Sequence, residues 1–149
     1  MTQYLYLASP VKLPTGAFGQ SPISPDKPNV YRTEYDFTHL YFENNYDSVL
    51  KKRVSLCQHI SFEYQVTAYS NAIPKPRSIT GSPNERKCLS LLYQYLEVAI
   101  RESGIIEYYT CISGQEDRPI SDRKSFSWSK IKDPYDLVIE DREFIEITL

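Results

Sequence analysis

One segment of the sequence, from Ser82 to Gly104, carries the signals of a complete amphipathic helix. Ser82 is a helix-capping residue, Pro83 suits the first helical position and Glu85 completes a capping box. Gly104 supplies a stop. An apolar stripe at helical spacing lies between these ends, formed by Leu89, Leu92, Leu96, Ala99 and Ile100. We therefore predict one principal α-helix at about 82–103 that packs through this stripe.

The remaining sequence has the alternation that is typical of strands. Between Leu50 and Ala68 the even positions are mostly apolar and the odd positions mostly polar, which predicts a long strand or two strands joined at a bend. Shorter strand patterns occur at residues 4–8, 105–113, 124–129, 136–140 and 143–149. The predicted fold class is α+β: a mainly antiparallel sheet with the helix on one face, in a single domain of residues 1–149.

The segment between the first strand pattern and residue 30 is rich in helix and strand breakers. Residues 9–29 contain five prolines and two glycines, which interrupt any regular ladder of hydrogen bonds. We predict a proline-rich N-terminal loop that wraps over the sheet and is anchored by its apolar side chains, Val11, Leu13, Phe18 and Ile23.

A stretch of alternating rings follows, YRTEYDFTHLYF at residues 31–42. Its first even positions are charged, so we predict a strand whose core-facing rings are Tyr31, Tyr35 and Phe37. Leu40 and Phe42 are apolar on the other parity, and a bulge near Thr38 would switch the two faces. His39 and Tyr41 then turn outward, and we predict them as binding residues.

The C-terminal segment is acidic. Residues 133–149 hold six carboxylates against Arg142 alone, a net charge of −5, whereas the whole chain has −2. Strand alternation in this segment would place carboxylates on an outward face that could receive a basic partner. The predicted acidic binding residues are Asp136, Glu140, Asp141 and Glu143.

The sequence gives little support for metal, cofactor or membrane chemistry. Cys57, His59 and Glu63 share one strand parity, but a fourth zinc ligand is missing, so we predict no metal and no cofactor. The other cysteines, Cys88 and Cys111, are widely spaced, which indicates reduced thiols. No leader pattern and no apolar run of about 20 residues occurs, so the expected compartment is the cytosol, without a membrane span.

Three classes of function remain open, and the sequence favours the first. This is a non-enzymatic protein-interaction module, for example a small acidic inhibitor or immunity-type protein that binds a basic partner. The second is a small hydrolase-like enzyme that uses His39 or His59 with a loop carboxylate. The third is a single-stranded nucleic-acid binder that uses the strand rings, although a net charge of −2 disfavours it. The oligomeric state stays open.

Overall fold

The computed structural model describes residues 2–69, 73–74 and 82–149. Two α-helices are present in these ranges, a short α1 (Glu34–Phe37) and a long α2 (Pro83–Ser103). Single turns of 3-10 helix occupy Trp128–Lys130 and Pro134–Leu137. The strands, in chain order, are β1 (Gln3–Ser9), β2 (Gly16–Phe18), β3 (Leu40–Asn44), β4 (Tyr46–Asp47), β5 (Lys52–Arg53), β6 (Tyr64–Tyr69), β7 (Ile105–Ile112), β8 (Asp122–Ser127) and β9 (Glu143–Thr148).

Within the described ranges, seven strands form one sheet in the order β2-β3-β6-β1-β7-β9-β8, and β4 pairs with β5 in a separate hairpin. Neighbouring strands of the sheet run antiparallel, with one exception at the edge, where β8 runs parallel to β9. The fold is therefore mixed α and β with a mostly antiparallel sheet and one main helix, as the sequence predicts. The parallel pair is a feature that the sequence did not indicate.

The predicted helix forms with the predicted ends. The Ser82 side chain accepts the Glu85 N–H, the Glu85 side chain caps Ser82 in return, and Gly104 ends the helix at φ 78°. The apolar stripe of α2 is buried together with Cys88 and Tyr95. It packs on one face of the sheet, where it meets inward side chains of the central strands, Leu5, Leu7, Phe42, Val66, Ile106 and Ile145.

The opposite face of the sheet has a smaller core of its own. Tyr6, Tyr109, Cys111 and Phe144 are buried there beneath residues 54–63, which we call the covering loop. For Leu50–Ala68 the sequence predicts one long strand or two strands joined at a bend near Gln58. Two strands are present, β5 and β6, but the prediction is wrong for the residues between them, which form the covering loop and not a bend. The apolar residues of the alternation that lie in the covering loop, such as Ile60, pack downward onto the sheet as loop residues.

The parallel pairing of β8 and β9 requires a crossover, which residues 128–142 supply. The prediction of a strand at 136–140 is wrong, because these residues belong to the crossover and Pro134–Leu137 forms a turn of 3-10 helix. Leu137 is fully buried in the core that contains α2. Its carbonyl accepts the buried Tyr108 hydroxyl at 2.9 Å, which fixes the crossover on the sheet.

The N-terminal segment is more regular than a single wrapped loop, so that prediction is not confirmed. β2 pairs with β3 at the edge of the sheet, and Tyr95 donates a 2.6 Å hydrogen bond from α2 to the Pro14 carbonyl. Leu13 is buried and Phe18 packs on the core, as predicted for anchors, whereas Val11 and Ile23 are exposed.

We call the stretch of alternating rings at residues 31–42 the ring stripe. Its first half is not a strand, and the prediction that Tyr31, Tyr35 and Phe37 are core residues is wrong. Thr33 caps the helical turn α1, so alternate positions no longer share a face. Tyr35 is 49% exposed and Phe37 is similarly exposed, while Tyr31 is half-buried. The chain becomes extended only at Leu40.

Among the described residues, no helix is long and apolar enough to cross a bilayer.

Candidate interaction surface

Three tyrosines lie close together on the sheet face that is turned away from α2, and we call Tyr4, Tyr41 and Tyr69 the tyrosine patch. They come from β1, β3 and β6, which are adjacent in the sheet. Each alternates with buried residues such as Leu5, and the alternation points the rings outward. Tyr41 is 51% exposed and Tyr69 is 60% exposed. Such a cluster of exposed rings is unusual for a sheet face that only contacts water.

The rings of the patch are held in a defined arrangement. Tyr4 and Tyr69 are directly opposite each other in the β1–β6 ladder, and their rings stack with centroids 5.0 Å apart and planes at 29°. The hydrogen bond to Tyr69 raises the pKa of the Tyr4 phenol. Burial and the carboxylates of Glu43 and Glu116 raise this pKa further. The Tyr4 phenol therefore stays neutral at physiological pH in a locally negative field.

A crevice opens where β3 and β6 separate. These strands pair only at Glu43–Thr67 and Asn44–Val66, so Tyr41 and Tyr69 stand on either side of an opening instead of pairing. The crevice has a volume of about 70 Å³, and Glu43 is its one charged lining residue among the described residues. A small cationic group is the ligand chemistry that rings beside a carboxylate attract.

Comparison with known protein families, curated proteins and solved structures finds no match to this chain. The function is therefore inferred from the chemistry of the surface itself.

The structure separates the two predicted binding residues of the ring stripe. Tyr41 lies on the outer face, as its alternation with Leu40 and Phe42 predicts. His39 is half-buried before the strand begins, where its Nδ1 is 2.8 Å from the Phe37 carbonyl and its ring meets the Phe37 ring edge-on. His39 is absent from the lining of the crevice.

Of the predicted acidic residues, Glu143 lies in β9, which is two positions from β1 and four from β3 in the strand order. The other three lie in the crossover that precedes β9. Asp136 is exposed, but its carboxylate already accepts the N–H groups of Lys132 at 2.8 Å and Asp133 at 3.2 Å. Glu140 is also exposed and its carboxylate meets no described partner.

The other two acidic residues are engaged within the protein. Asp141 is half-buried and its carboxylate lies 3.4 Å from the Arg142 Nε. Glu143 is buried, so the prediction that it faces outward is wrong. Its carboxylate is stabilised there by Lys124 at 2.7 Å and by the Glu140 N–H, which donates to it at 2.8 Å. The bond to Glu143 in turn raises the pKa of Lys124. The four predicted acidic residues therefore do not form one free carboxylate surface.

The second histidine is committed to the backbone. His59 Nε2 donates a 2.6 Å hydrogen bond to the Arg118 carbonyl, so that nitrogen is not free to act as a base. Ser61 donates its hydroxyl to the carboxylate of Glu107 at 3.1 Å, and not to a histidine. Among the described residues, no histidine ring is hydrogen-bonded to a serine or cysteine side chain, since the Cys88 thiol donates to the backbone carbonyl of His39 and not to its ring. The described residues also contain no group of three His, Cys, Asp or Glu side chains placed to hold a metal ion.

Two members of the patch, Tyr4 and Tyr69, and the carboxylate of Glu43 were not predicted from the sequence. Tyr4 alternates with apolar residues in a short strand pattern, so its ring could be assigned to either face from the sequence. Tyr69 is the last residue of β6, the strand that pairs with β1. Only the β1–β6 pairing brings these two rings together, and long-range strand pairing cannot be derived from a single sequence.

Proposed function

We propose that this chain is a non-enzymatic protein-interaction module that binds a basic partner through the tyrosine patch. In this role it would act as small acidic inhibitor or immunity-type proteins do, by covering a positively charged surface of another protein. The observation that carries the proposal is the stack of the half-buried Tyr4 on the exposed Tyr69, beside a crevice that Tyr41 and Glu43 complete.

The chemistry of the patch favours a protein partner. Tyrosine supplies a large contact area at a low entropic cost, and exposed tyrosines are frequent among residues that dominate binding energy. The stack fixes two of the rings before any partner arrives, which lowers the cost of ordering them on binding. A rigid aromatic surface of this kind suits a specific interface.

The charges near the patch favour a basic partner. Glu43 lies beside Tyr41 in the crevice, and Glu116 accepts the Tyr6 hydroxyl at 3.2 Å on the same face. An arginine or lysine of the partner would gain both ring contacts and a carboxylate there. A single-stranded nucleic acid could stack on the same rings, but its phosphates would be repelled by these carboxylates.

The exposed acidic residues Asp136 and Glu140 lie outside the patch. They belong to the crossover, whose apolar residues pack in the core that contains α2, whereas the patch lies on the opposite face of the sheet. The tyrosine patch alone therefore forms the proposed binding surface.

The proposal is tested by affinity capture from the native host with four immobilised proteins. These are the wild type, Tyr41→Ala, the charge reversal Glu43→Lys, and Tyr35→Ala as a control. Tyr35 is a matched control because it is 49% exposed, against 51% for Tyr41, and lies outside the patch. We expect one stoichiometric protein with a basic surface, captured by the wild type and by Tyr35→Ala but not by the two patch variants.

Two results would refute the proposal. One is a partner that all four proteins capture equally, since the interface would then lie elsewhere. The other is a captured nucleic acid that Glu43→Lys retains and Tyr41→Ala loses, which would assign the rings to base stacking.

A further inference from the structure

A second cavity, of about 190 Å³, lies at the other end of β6 from the tyrosine patch. Tyr64 lines this cavity and Tyr69 belongs to the patch, and these two residues are roughly 16 Å apart along the strand. Cavities for drug-sized ligands span roughly 300–1,000 Å³, so this one suits a smaller molecule. We call it the basic pocket, because its charged lining residues are Lys12 and Arg53.

The two cations of the basic pocket are differently held. Arg53 is fixed by the Tyr64 ring, whose centroid is 4.2 Å from the guanidinium carbon, and by Glu63 at 3.2 Å. Glu63 is 64% exposed and contacts one guanidinium nitrogen, which leaves most of the five N–H donors of Arg53 available. Lys12 makes no ion pair or hydrogen bond with any described residue.

The uncommitted polar groups of the basic pocket are mainly hydrogen-bond donors. The Tyr46 and Tyr64 hydroxyls have no hydrogen-bond partner among the described residues. The amides that also line the pocket are already used, since Asn45 bonds the Val54 and Glu63 carbonyls and Gln65 accepts the Leu56 N–H. Lysine, arginine and tyrosine side chains that line one cavity offer it ammonium, guanidinium and phenol donors, which favour an anionic group.

The remaining lining is apolar. Leu13 and Val66 are buried residues of the main core that also border the pocket, and the rings of Tyr46 and Tyr64 lie at its walls. A ligand that fills the cavity therefore needs an apolar body as well as a charged head.

We propose that the basic pocket binds a small organic anion, with a phosphate or carboxylate head held by Lys12 and Arg53 and an apolar or aromatic body against Leu13 and the tyrosine rings. The proposal is independent of the tyrosine patch and of its protein partner.

The test is a calorimetric titration of the full chain with phenyl phosphate and benzoate, with phenol as the uncharged probe. We expect dissociation constants of about millimolar or tighter for at least one anion, and no measurable binding of phenol. Lys12→Met and Arg53→Met should each weaken binding about fivefold to tenfold, and added salt should weaken it too. Which anion binds more tightly distinguishes a phosphate from a carboxylate ligand.

Two controls make the result decisive. Lys130→Met removes an exposed lysine outside the pocket, and Tyr41→Ala disables the patch, so both should bind the anion within about twofold of the wild type. Circular dichroism establishes that each variant is folded. The proposal is overturned if neither anion binds, if phenol binds as tightly as phenyl phosphate, or if Lys12→Met and Arg53→Met bind like Lys130→Met.

Discussion

The carboxylate of Glu107, on β7, accepts the backbone N–H of Ser61 at 2.7 Å and so fastens the covering loop to the sheet. The same carboxylate accepts the Ser61 hydroxyl and the Phe62 N–H at 3.1 Å. Glu107 is buried, so this loop is fixed by charge-assisted hydrogen bonds that water scarcely reaches. The loop in turn shields the second core, including Tyr109 and Cys111.

Removing this carboxylate should loosen the loop. In Glu107→Ala the N–H groups of Ser61 and Phe62 lose their acceptor, so we expect a loss of at least about 2 kcal/mol in the free energy of unfolding. Amide hydrogen exchange at both residues should accelerate. Urea melts and exchange mass spectrometry measure the two effects.

Glu146 provides the matched control, because it lies directly opposite Glu107 in the β7–β9 ladder and has no described hydrogen-bond partner. Like charges that face each other across strands are unfavourable, so Glu146→Ala should be neutral or slightly stabilising. Equal losses in the two variants would show that Glu107 does not hold the loop through its specific bonds.

The main core should respond to truncation of the helix stripe. Leu92 is fully buried between α2 and the sheet, so Leu92→Ala should lower the free energy of unfolding by about 2–5 kcal/mol. Val98 lies on the exposed side of the same helix, and Val98→Ala should change it by less than about 0.5 kcal/mol. A similar loss in both variants, measured by denaturant unfolding, would place the core elsewhere.

Rings of the ring stripe that precede Thr38 should contribute less to stability than the buried ring that follows it. Tyr35 is exposed and the Lys87 ammonium lies over its ring. Tyr35→Ala should therefore reduce stability by less than about 1 kcal/mol. Phe42 is buried and stacks on Tyr95 at 4.1 Å, so Phe42→Ala should cost about 3–5 kcal/mol. Thermal and urea melts of the two variants should not give comparable losses.

Buried thiols should make the protein sensitive to alkaline pH. Burial raises the pKa of Cys88 to about 11 and that of Cys111 to about 12, from an ordinary value of 9.0. Both thiols stay protonated in the folded state while those of the unfolded chain ionise, so stability is full below pH 9 and falls as pH rises through about 11 to 12.

This pH dependence is measured by urea melts from neutral to alkaline pH. Cys88→Ala should reduce the decline, since it removes one of the groups whose pKa differs between the two states. At pH 8 the folded protein should react slowly with a thiol reagent. Stability that stays constant up to pH 11, or fast thiol labelling of the folded chain, would contradict the burial of these cysteines.

The helix was predictable from sequence because its signals are local. A capping residue, a proline at the first position, a glycine stop and a stripe at helical spacing all lie within 82–104, and each acts within a turn or two of its own position. The strands β1, β7 and β9 were likewise predictable from short alternating patterns.

The covering loop was predicted as a strand because loop residues that pack on a second core can have the same alternation as a strand. Ile60 is buried as a strand residue would be, yet its segment is held by the side chain of Gln65, which follows the loop, and by that of Glu107, which is distant in sequence. Of the three tyrosines of the patch, only one could be predicted from the sequence. Tyr41 could be assigned outward from its neighbours, whereas its association with Tyr4 and Tyr69 depends on strand pairing.

The tyrosine patch as the binding surface for a basic protein is tested most directly by calorimetric titration of the purified partner with patch variants. We expect Tyr41→Ala or Tyr69→Ala to weaken binding by at least about 2 kcal/mol, roughly thirtyfold, and added salt to weaken the wild-type complex. Stability should change little, because both rings are more than half exposed. Tyr35→Ala should bind like the wild type. Equal affinities for the wild type, Tyr41→Ala and Tyr69→Ala would show that the tyrosine patch is not the binding surface.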